Sequence, residues 1–245
     1  MAKISINALC YQRGDFQLEL DSLTISEGEK VALMGENGCG KSTLINLLTG
    51  LIEPPPNSVF YDGFDLRDTP HLARAKQFAL LSQFSDISFP FSVFEVVQLG
   101  RFACSNGQSF SQQDRDKTQA LLSLLDIQRY QSKSYTELSG GEQRRVMLAR
   151  VLNQDAPIVY LDEPNASLDI RHTLQIFEHL YSLPQTIISS VHDINLAHRY
   201  FDRFLFLKQG KLLYDVVQQQ LSPALLSEVY DVSVTRSDTS FCFNP

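Results

Sequence analysis

The chain has 245 residues, 43% of them hydrophobic and 20% charged, a composition typical of a globular protein large enough to hold one sizeable core. Its formal net charge of −7 argues against a nucleic-acid partner, because such partners are bound through many Lys and Arg. The four cysteines form no C-x-x-C pair, and no signal peptide or bilayer-spanning apolar stretch is visible. We therefore expect free thiols in a reducing cytoplasm and a membrane role only through a partner.

The N-terminal part of the chain predicts strands followed by a helix. Apolar residues alternate between positions 3 and 25, which indicates antiparallel strands with one solvated face. Residues 30–34, which are apolar after Lys30, then predict a short buried strand. Leu44, Leu47, Leu48 and Leu51 recur at helical spacing, and Gly50 together with the prolines at 54–56 should end that helix.

Apolar runs later in the chain predict further strands at 58–61, 78–83, 158–161 and 186–191, and a hairpin at 204–214. Helical patterns lie between several of these runs, and this alternation indicates an α/β fold with a parallel sheet and crossover helices. Between residues 83 and 157 we find helical patterns and no convincing strand. We therefore predict one domain over 1–245, with a helical subdomain inserted at 84–156.

A segment with the spacing G-x-x-x-x-G-K-[ST] joins the strand at 30–34 to the following helix. In this context its glycines let the backbone turn its N–H groups towards phosphate, and the helix N-terminus adds partial positive charge. The lysine would reach the β- and γ-phosphates, and the serine would bind Mg²⁺. The segment comprises Gly35, Glu36, Asn37, Gly38, Cys39, Gly40, Lys41, Ser42 and Thr43.

Two carboxylates follow the apolar run at 158–161. Asp162 would hold Mg²⁺ through water, and Glu163 would polarise the water that attacks the γ-phosphate. The alternative is a solvated acidic turn, which is common for an isolated Asp-Glu pair. The phosphate-binding pattern elsewhere in the chain favours the catalytic interpretation.

The segment Ser139-Gly140-Gly141-Glu142 precedes a helix with Val146, Ala149 and Leu152 on one face. By itself, such a segment is usually an N-cap with a flexible entry. The functional interpretation is a second anion site, in which the serine and the glycine N–H groups point at phosphate from a helix N-terminus.

Taken together and in this order, these motifs resemble the nucleotide-binding subunit of an ABC transporter, and the resemblance covers nearly the whole chain. It implies a P-loop NTPase (RecA-like) core with an N-terminal antiparallel β subdomain and an inserted helical subdomain. The matching elements are the phosphate loop, Gln83, Leu-Ser-Gly-Gly-Glu at 138–142, Tyr-Leu-Asp-Glu-Pro at 160–164, Ser-Leu-Asp at 167–169 and His192.

The resemblance also implies roles for single residues. Gln83 would touch Mg²⁺ and the attacking water and relay nucleotide occupancy to a membrane subunit. His192 would contact the γ-phosphate, and Asp169 would belong to the loop that couples paired sites. Tyr11 would stack on adenine, although an aromatic residue in an edge strand is more often there for packing. Asn165 stands where the family usually has Thr, a departure that we cannot interpret.

The resemblance implies ATP and Mg²⁺ as ligands. Members of this family also work in pairs, which implies a homodimer that holds ATP between the two copies. They drive integral-membrane permeases from the cytoplasmic face of the inner membrane, and importers also use a periplasmic binding protein. Residues 89–97, 99–101, 146–150 and 192–197 are similar to the corresponding segments in importers of iron chelates, haem and cobalamin. We therefore expect the ATPase subunit of an iron-chelate importer. The alternatives are an importer of cobalamin or another substrate, and an ABC exporter. The segment after Gln83 would form the groove that receives a helix of the permease.

Overall fold

The computed structural model describes residues 3–83, 87, 89–105, 109–238 and 240–244. The chain divides into two compact units. The first unit contains Met1–Pro70 and Thr186–Pro245, and the second contains His71–Gln185. The segment 84–156, which the sequence predicts as helical, falls within the second unit, although residues 84–86, 88 and 106–108 lie outside the described part.

Most of the first unit is one mixed sheet. The order of its strands is β5-β4-β1-β2-β10-β9-β3-β8, and a separate hairpin is formed by β11 and β12. The strands are β1 (Ile4–Arg13), β2 (Phe16–Ile25), β3 (Lys30–Met34), β4 (Val59–Tyr61), β5 (Phe64–Asp65), β8 (Thr186–Ser190), β9 (Arg203–Lys208), β10 (Lys211–Val217), β11 (Ser233–Ser237) and β12 (Ser240–Asn244). The remaining strands, β6 (Phe78–Leu81) and β7 (Ile158–Asp162), belong to the second unit.

The helices follow the same division between the units. The first unit has α1 (Lys41–Thr49), α7 (Ile194–Tyr200) and α8 (Pro223–Tyr230). The second unit has α2 (His71–Gln77), α3 (Val93–Gln98), α4 (Gln112–Leu124), α5 (Gly140–Asn153) and α6 (Ile170–Ser182). Within the described residues, no helix is both long and apolar enough to cross a membrane.

The N-terminal strands confirm the predicted antiparallel pair. β1 and β2 are paired from Ile4 opposite Ile25 to Arg13 opposite Phe16. Their buried residues are all apolar and lie at positions 4, 6 and 9 of β1 and 18, 20, 23 and 25 of β2. The alternation expected for a sheet with one solvated face is therefore interrupted once in each strand. β3 is different, because it lies between β8 and β9, pairs in parallel with both, and is buried at every residue. The phosphate loop therefore leaves the centre of a buried sheet.

Helix α1 buries the predicted apolar face, including Leu44, Leu47 and Leu48. The helix ends at Gly50, as the sequence predicts. Gly50 adopts a left-handed conformation with φ of 69°, and its N–H bonds to the carbonyl of Leu47, which closes the helix. Leu51 shares the helical spacing of the other leucines, but it lies beyond this end and is 66% exposed.

In the second unit, β6 and β7 pair in parallel from Phe78 opposite Ile158 to Leu81 opposite Leu161. Helix α3 begins with a capping box, in which Ser92 and Glu95 exchange hydrogen bonds. That helix stops at Gln98, where the chain tightens into a 3₁₀ turn. In the described residues from 89 to 157, the structure has helices and a single isolated bridge between Ser92 and Ser134.

Candidate nucleotide-binding and hydrolysis site

The phosphate loop of the first unit depends on two glycines for which no side chain could substitute. Gly35 has φ of 135°, and a Cβ there would lie 2.1 Å from the carbonyl oxygen of Leu207. Gly40 has φ of 114°, and its Cβ would lie 2.9 Å from the ring of Phe16 and 3.0 Å from Leu18. Both the conformation and the close packing therefore require glycine. The sequence analysis missed Phe16, since no local pattern links it to the loop.

The N-terminus of α1 is suited to bind an anion. Its N-cap is Gly40, so no side chain accepts the first N–H groups, and the first turn has no acidic residue. By contrast, side-chain oxygens accept N–H groups at the starts of α3, α4, α6, α7 and α8. Helix N–H groups without an internal partner attract negative charge, which the helix dipole reinforces. Ser42 and Thr43 are half-buried in this turn.

Lys41 is buried beside the loop, with 6% of its surface exposed. Its Nζ atom donates to the carbonyl oxygens of Gly35 at 2.7 Å and Glu36 at 2.8 Å. These bonds hold the ammonium group against the loop. When a phosphate binds to the loop, its oxygens could replace these carbonyls as the acceptors of the ammonium N–H groups. Burial raises the pKa of the neighbouring Cys39 thiol, although Lys41 opposes this effect. Cys39 is therefore a weak nucleophile at neutral pH.

The first unit also contains two other predicted site residues, Tyr11 and His192. Tyr11 is half-buried in β1 opposite Leu18, the residue that lies against Gly40. His192 is exposed and lies two residues beyond the end of β8. The next residue, Asp193, caps α7 by accepting from two backbone N–H groups. The short helix α7 and its cap were not predicted from the sequence.

In the second unit, the ends of the parallel strands β6 and β7 bring Gln83 and Glu163 together. The Nε2 atom of Gln83 donates to Oε2 of Glu163 at 3.4 Å. Asp162, the last residue of β7, is 4% exposed, whereas Glu163 is half-buried. Glu163 also has a left-handed backbone with φ of 50°, which is uncommon for a residue other than glycine. An amide and a carboxylate on one strand edge could together orient a water molecule.

The Ser-Gly-Gly segment forms the predicted N-terminus of α5. The carboxylate of Glu142 accepts from the N–H of Ser139 at 2.8 Å and from its hydroxyl at 2.7 Å. The hydroxyl of Tyr130, followed by that of Ser139, lowers the pKa of Glu142 to about 2, so this side chain is anionic at neutral pH. Gly140 has open space at its Cβ position, but a Cβ on Gly141 would lie 2.7 Å from the carbonyl oxygen of Ser167.

Asp169 caps α6 in the same unit. Its carboxylate accepts from the backbone N–H of His172 at 2.9 Å and lies 2.8 Å from Nδ1 of the same residue. These interactions lower the pKa of Asp169. A second residue that the sequence analysis missed is Arg144, whose side chain contacts backbone at the ends of β6 and β7. An arginine in the buried stretch of α5 is the signal that could have revealed it.

A phosphate loop that leaves a buried parallel strand and opens a helix with a free N-terminus defines a P-loop nucleoside triphosphatase, and the α/β fold prediction is confirmed. The sequence model described as ABC transporter matches residues 18–166. The chain belongs to this family, and it is an ATP-binding ATPase of the ABC type.

Similar proteins cover most of the chain. The hemin import ATP-binding protein HmuV of Pseudomonas entomophila (strain L48) is 38% identical over 94% of this chain and 93% of its own length. The petrobactin import ATP-binding protein FpuC of Bacillus anthracis is 34% identical over 94% of this chain and 88% of its own. A solved structure, the dimeric cassette MJ0796 bound to ADP and Pi, is 27% identical with a TM-score of 0.77, covering 90% of this chain and all of that one.

Proposed function

We propose that this chain is the ATP-hydrolysing subunit of an importer of an iron chelate, either haem or a siderophore. The observation that carries the proposal is that ATP-binding proteins of hemin and petrobactin import match 94% of the chain at 34–38% identity. The alternatives are the ATPase subunit of an importer of cobalamin or another substrate, and the ATPase subunit of an ABC exporter. Similarity to a bacterial Atm1-family exporter reaches only 24% identity and therefore supports the shared fold alone.

ATP would bind with its phosphates on the loop from Gly35 to Thr43. The uncapped N-terminus of α1 and the buried ammonium of Lys41 fit a polyphosphate, because both supply positive charge and the first turn of α1 has no acidic side chain. Mg²⁺ would be held by Ser42, Gln83 and Asp162, which offer the oxygen ligands that this ion prefers. When bound, the ion would neutralise charge that develops on the phosphates.

Hydrolysis would use Glu163 as the general base, oriented by Gln83, with His192 near the γ-phosphate. A second copy of the chain would complete each site by presenting Ser139, Gly140 and Gly141 to the nucleotide. The other members of the proposed site are Tyr11 on adenine and Asp169 in the loop between paired sites. A homodimer is the simplest assembly because each copy contains one phosphate loop and one Ser-Gly-Gly segment.

The membrane partner would be a pair of permease subunits at the cytoplasmic face of the inner membrane, with a periplasmic binding protein delivering the chelate. Exposed apolar side chains in the second unit support a docking surface there. Phe89 is 69% exposed, Phe102 is 57% exposed, and Phe91 is 41% exposed. The groove predicted after Gln83 lies partly at residues outside the described part of the chain.

Growth on a defined iron source tests this proposal. A chromosomal Glu163→Gln change should abolish growth on the cognate haem or ferric siderophore and leave growth on abundant free iron intact. A Glu178→Gln strain serves as a control, because Glu178 is an exposed glutamate of α6. Loss of cobalamin uptake with normal use of every iron chelate would overturn the proposed substrate class.

A further inference from the structure

Arg144 is buried in the second unit, where it joins the ends of two strands. Its side chain projects from α5, and the residue is 9% exposed. Nη1 donates to the carbonyl oxygen of Ser82 at 2.8 Å, and Nη2 donates to those of Asp162 at 2.5 Å and Glu163 at 2.6 Å. A guanidinium suits this arrangement because it is planar and its donors have a fixed geometry.

These carbonyls belong to the segments that carry the proposed hydrolytic side chains. Ser82 immediately precedes Gln83, and the other two carbonyls lie at the end of β7. Since β6 and β7 are parallel neighbours, their carboxyl ends lie side by side. The guanidinium therefore holds both backbone segments, whose side chains meet through the 3.4 Å contact between Gln83 and Glu163.

The backbone of Glu163 needs such support. Its φ of 50° is a left-handed conformation, which side chains other than glycine adopt at a cost. Such a conformation persists only where the surroundings enforce it, and the bond from Arg144 to the carbonyl of this residue is one such contact. Without the bond, φ could relax to a negative value, and the carboxylate would then point in a different direction.

We propose that Arg144 is a positioning residue for ATP hydrolysis, which holds the carboxylate of Glu163 and the amide of Gln83 in the arrangement that orients the attacking water. The inference rests on the roles proposed above for those two side chains. Arg144 itself acts on the backbone behind them. It also connects the helix that begins with the Ser-Gly-Gly segment to the residue proposed as the base.

Steady-state kinetics of the full chain with ATP and Mg²⁺ can test this role. Arg144→Gln should lower kcat by about 10- to 100-fold, the scale of a small misplacement of catalytic groups, and leave the Kd for ATP within about twofold. Arg144→Lys should restore part of kcat, because one ammonium can reach some of these carbonyls. Arg101→Gln is the matched control: Arg101 is also buried, at 8%, but donates to Asp114 and the carbonyl of Asn153.

A double-variant comparison separates positioning from simple stabilisation. If Arg144 acts mainly through the base, adding Arg144→Gln to Glu163→Gln should reduce single-turnover hydrolysis by less than the same change does in the wild-type chain, because only the effect on Gln83 remains. A multiplicative loss in the double variant would overturn the inference. The same conclusion would follow if kcat stayed normal in Arg144→Gln, or fell only as much as in an equally destabilised Arg101→Gln.

If Arg144→Gln fails to fold, Arg144→Lys carries the same comparison of kcat with Kd. The proposed function has its own separate outcome. Normal hydrolysis in Glu163→Gln would refute the role of Glu163 as the base, whatever the Arg144 variants do. Loss of hydrolysis in Glu163→Gln together with normal turnover in the Arg144 variants would refute only the positioning role.

Discussion

Replacing Glu163 by glutamine removes a basic group while changing little else in the structure. The glutamine has the same shape, and the carbonyl of residue 163 would still accept from Arg144. A glutamine side chain could also keep a contact with the amide of Gln83, which now lies 3.4 Å from the carboxylate. The variant should therefore fold and bind ATP normally, and it should lack only the acceptor for the proton of the attacking water.

The expected loss follows from the usual contribution of a positioned general base, about 10²- to 10⁴-fold in rate. This range corresponds to about 3–5 kcal/mol in the activation free energy. Phosphate release measured under saturating ATP and Mg²⁺ gives kcat, and equilibrium binding of ATP gives Kd. The Glu178→Gln variant should retain wild-type turnover, because that side chain lies on the exposed face of α6.

Two results would refute this reasoning. Turnover of Glu163→Gln within about threefold of the wild type would mean that another group, or none, accepts the proton. A parallel loss of ATP affinity and turnover would mean instead that the carboxylate contributes to ground-state binding.

Further predictions concern the loop, the second anion site and the thiol. Gly35→Ala should abolish ATP binding, since the added methyl would lie 2.1 Å from a backbone oxygen of β9. The added methyl of Gly38→Ala would meet no atom within 4 Å, so this variant should weaken ATP binding less. Isothermal titration of both variants with ATP checks this difference. Glu142 has a pKa lowered to about 2, so its stabilising contribution should be complete above its ordinary pKa of 4.5 and lost as the pH falls towards 2. Tyr130→Phe should shrink that loss in thermal melts recorded from pH 2 to pH 6, and an unchanged profile would contradict the assignment. Iodoacetamide should modify Cys39 more slowly than the three exposed cysteines, and ATP should slow it further; peptide mass spectrometry that finds no protection would count against the phosphate loop.

Local patterns were sufficient to predict the phosphate loop and its flanking strand and helix. After Lys30, β3 is apolar because it is buried between two parallel neighbours, and Gly35 and Gly40 are required by backbone conformation, so both signals are visible in the sequence. Leu51 shows the limit of apolar spacing taken alone. It shares the helical spacing, but Gly50, the predicted end of the helix, adopts a left-handed conformation and closes the helix before Leu51.

The residues that the sequence did not reveal act across long separations in the chain. Arg144 contacts a carbonyl 62 residues away, and Phe16 of β2 lies against Gly40 although two strands separate β2 from β3 in the sheet. Neither has a motif of its own, since each depends on how the strands are arranged in space. The hydrogen bond between Tyr130 and Glu142 is of the same kind, and its effect is the lowered pKa of Glu142.

The most direct test of the central claim, that two copies of the chain enclose ATP, is the mass of the Glu163→Gln protein in solution. Light scattering after gel filtration should give the protomer mass of 27.7 kDa without nucleotide and twice that mass with ATP and Mg²⁺. Lys41→Ala added to this variant should abolish the shift. A Glu163→Gln protein that binds ATP and remains at the protomer mass would contradict the account.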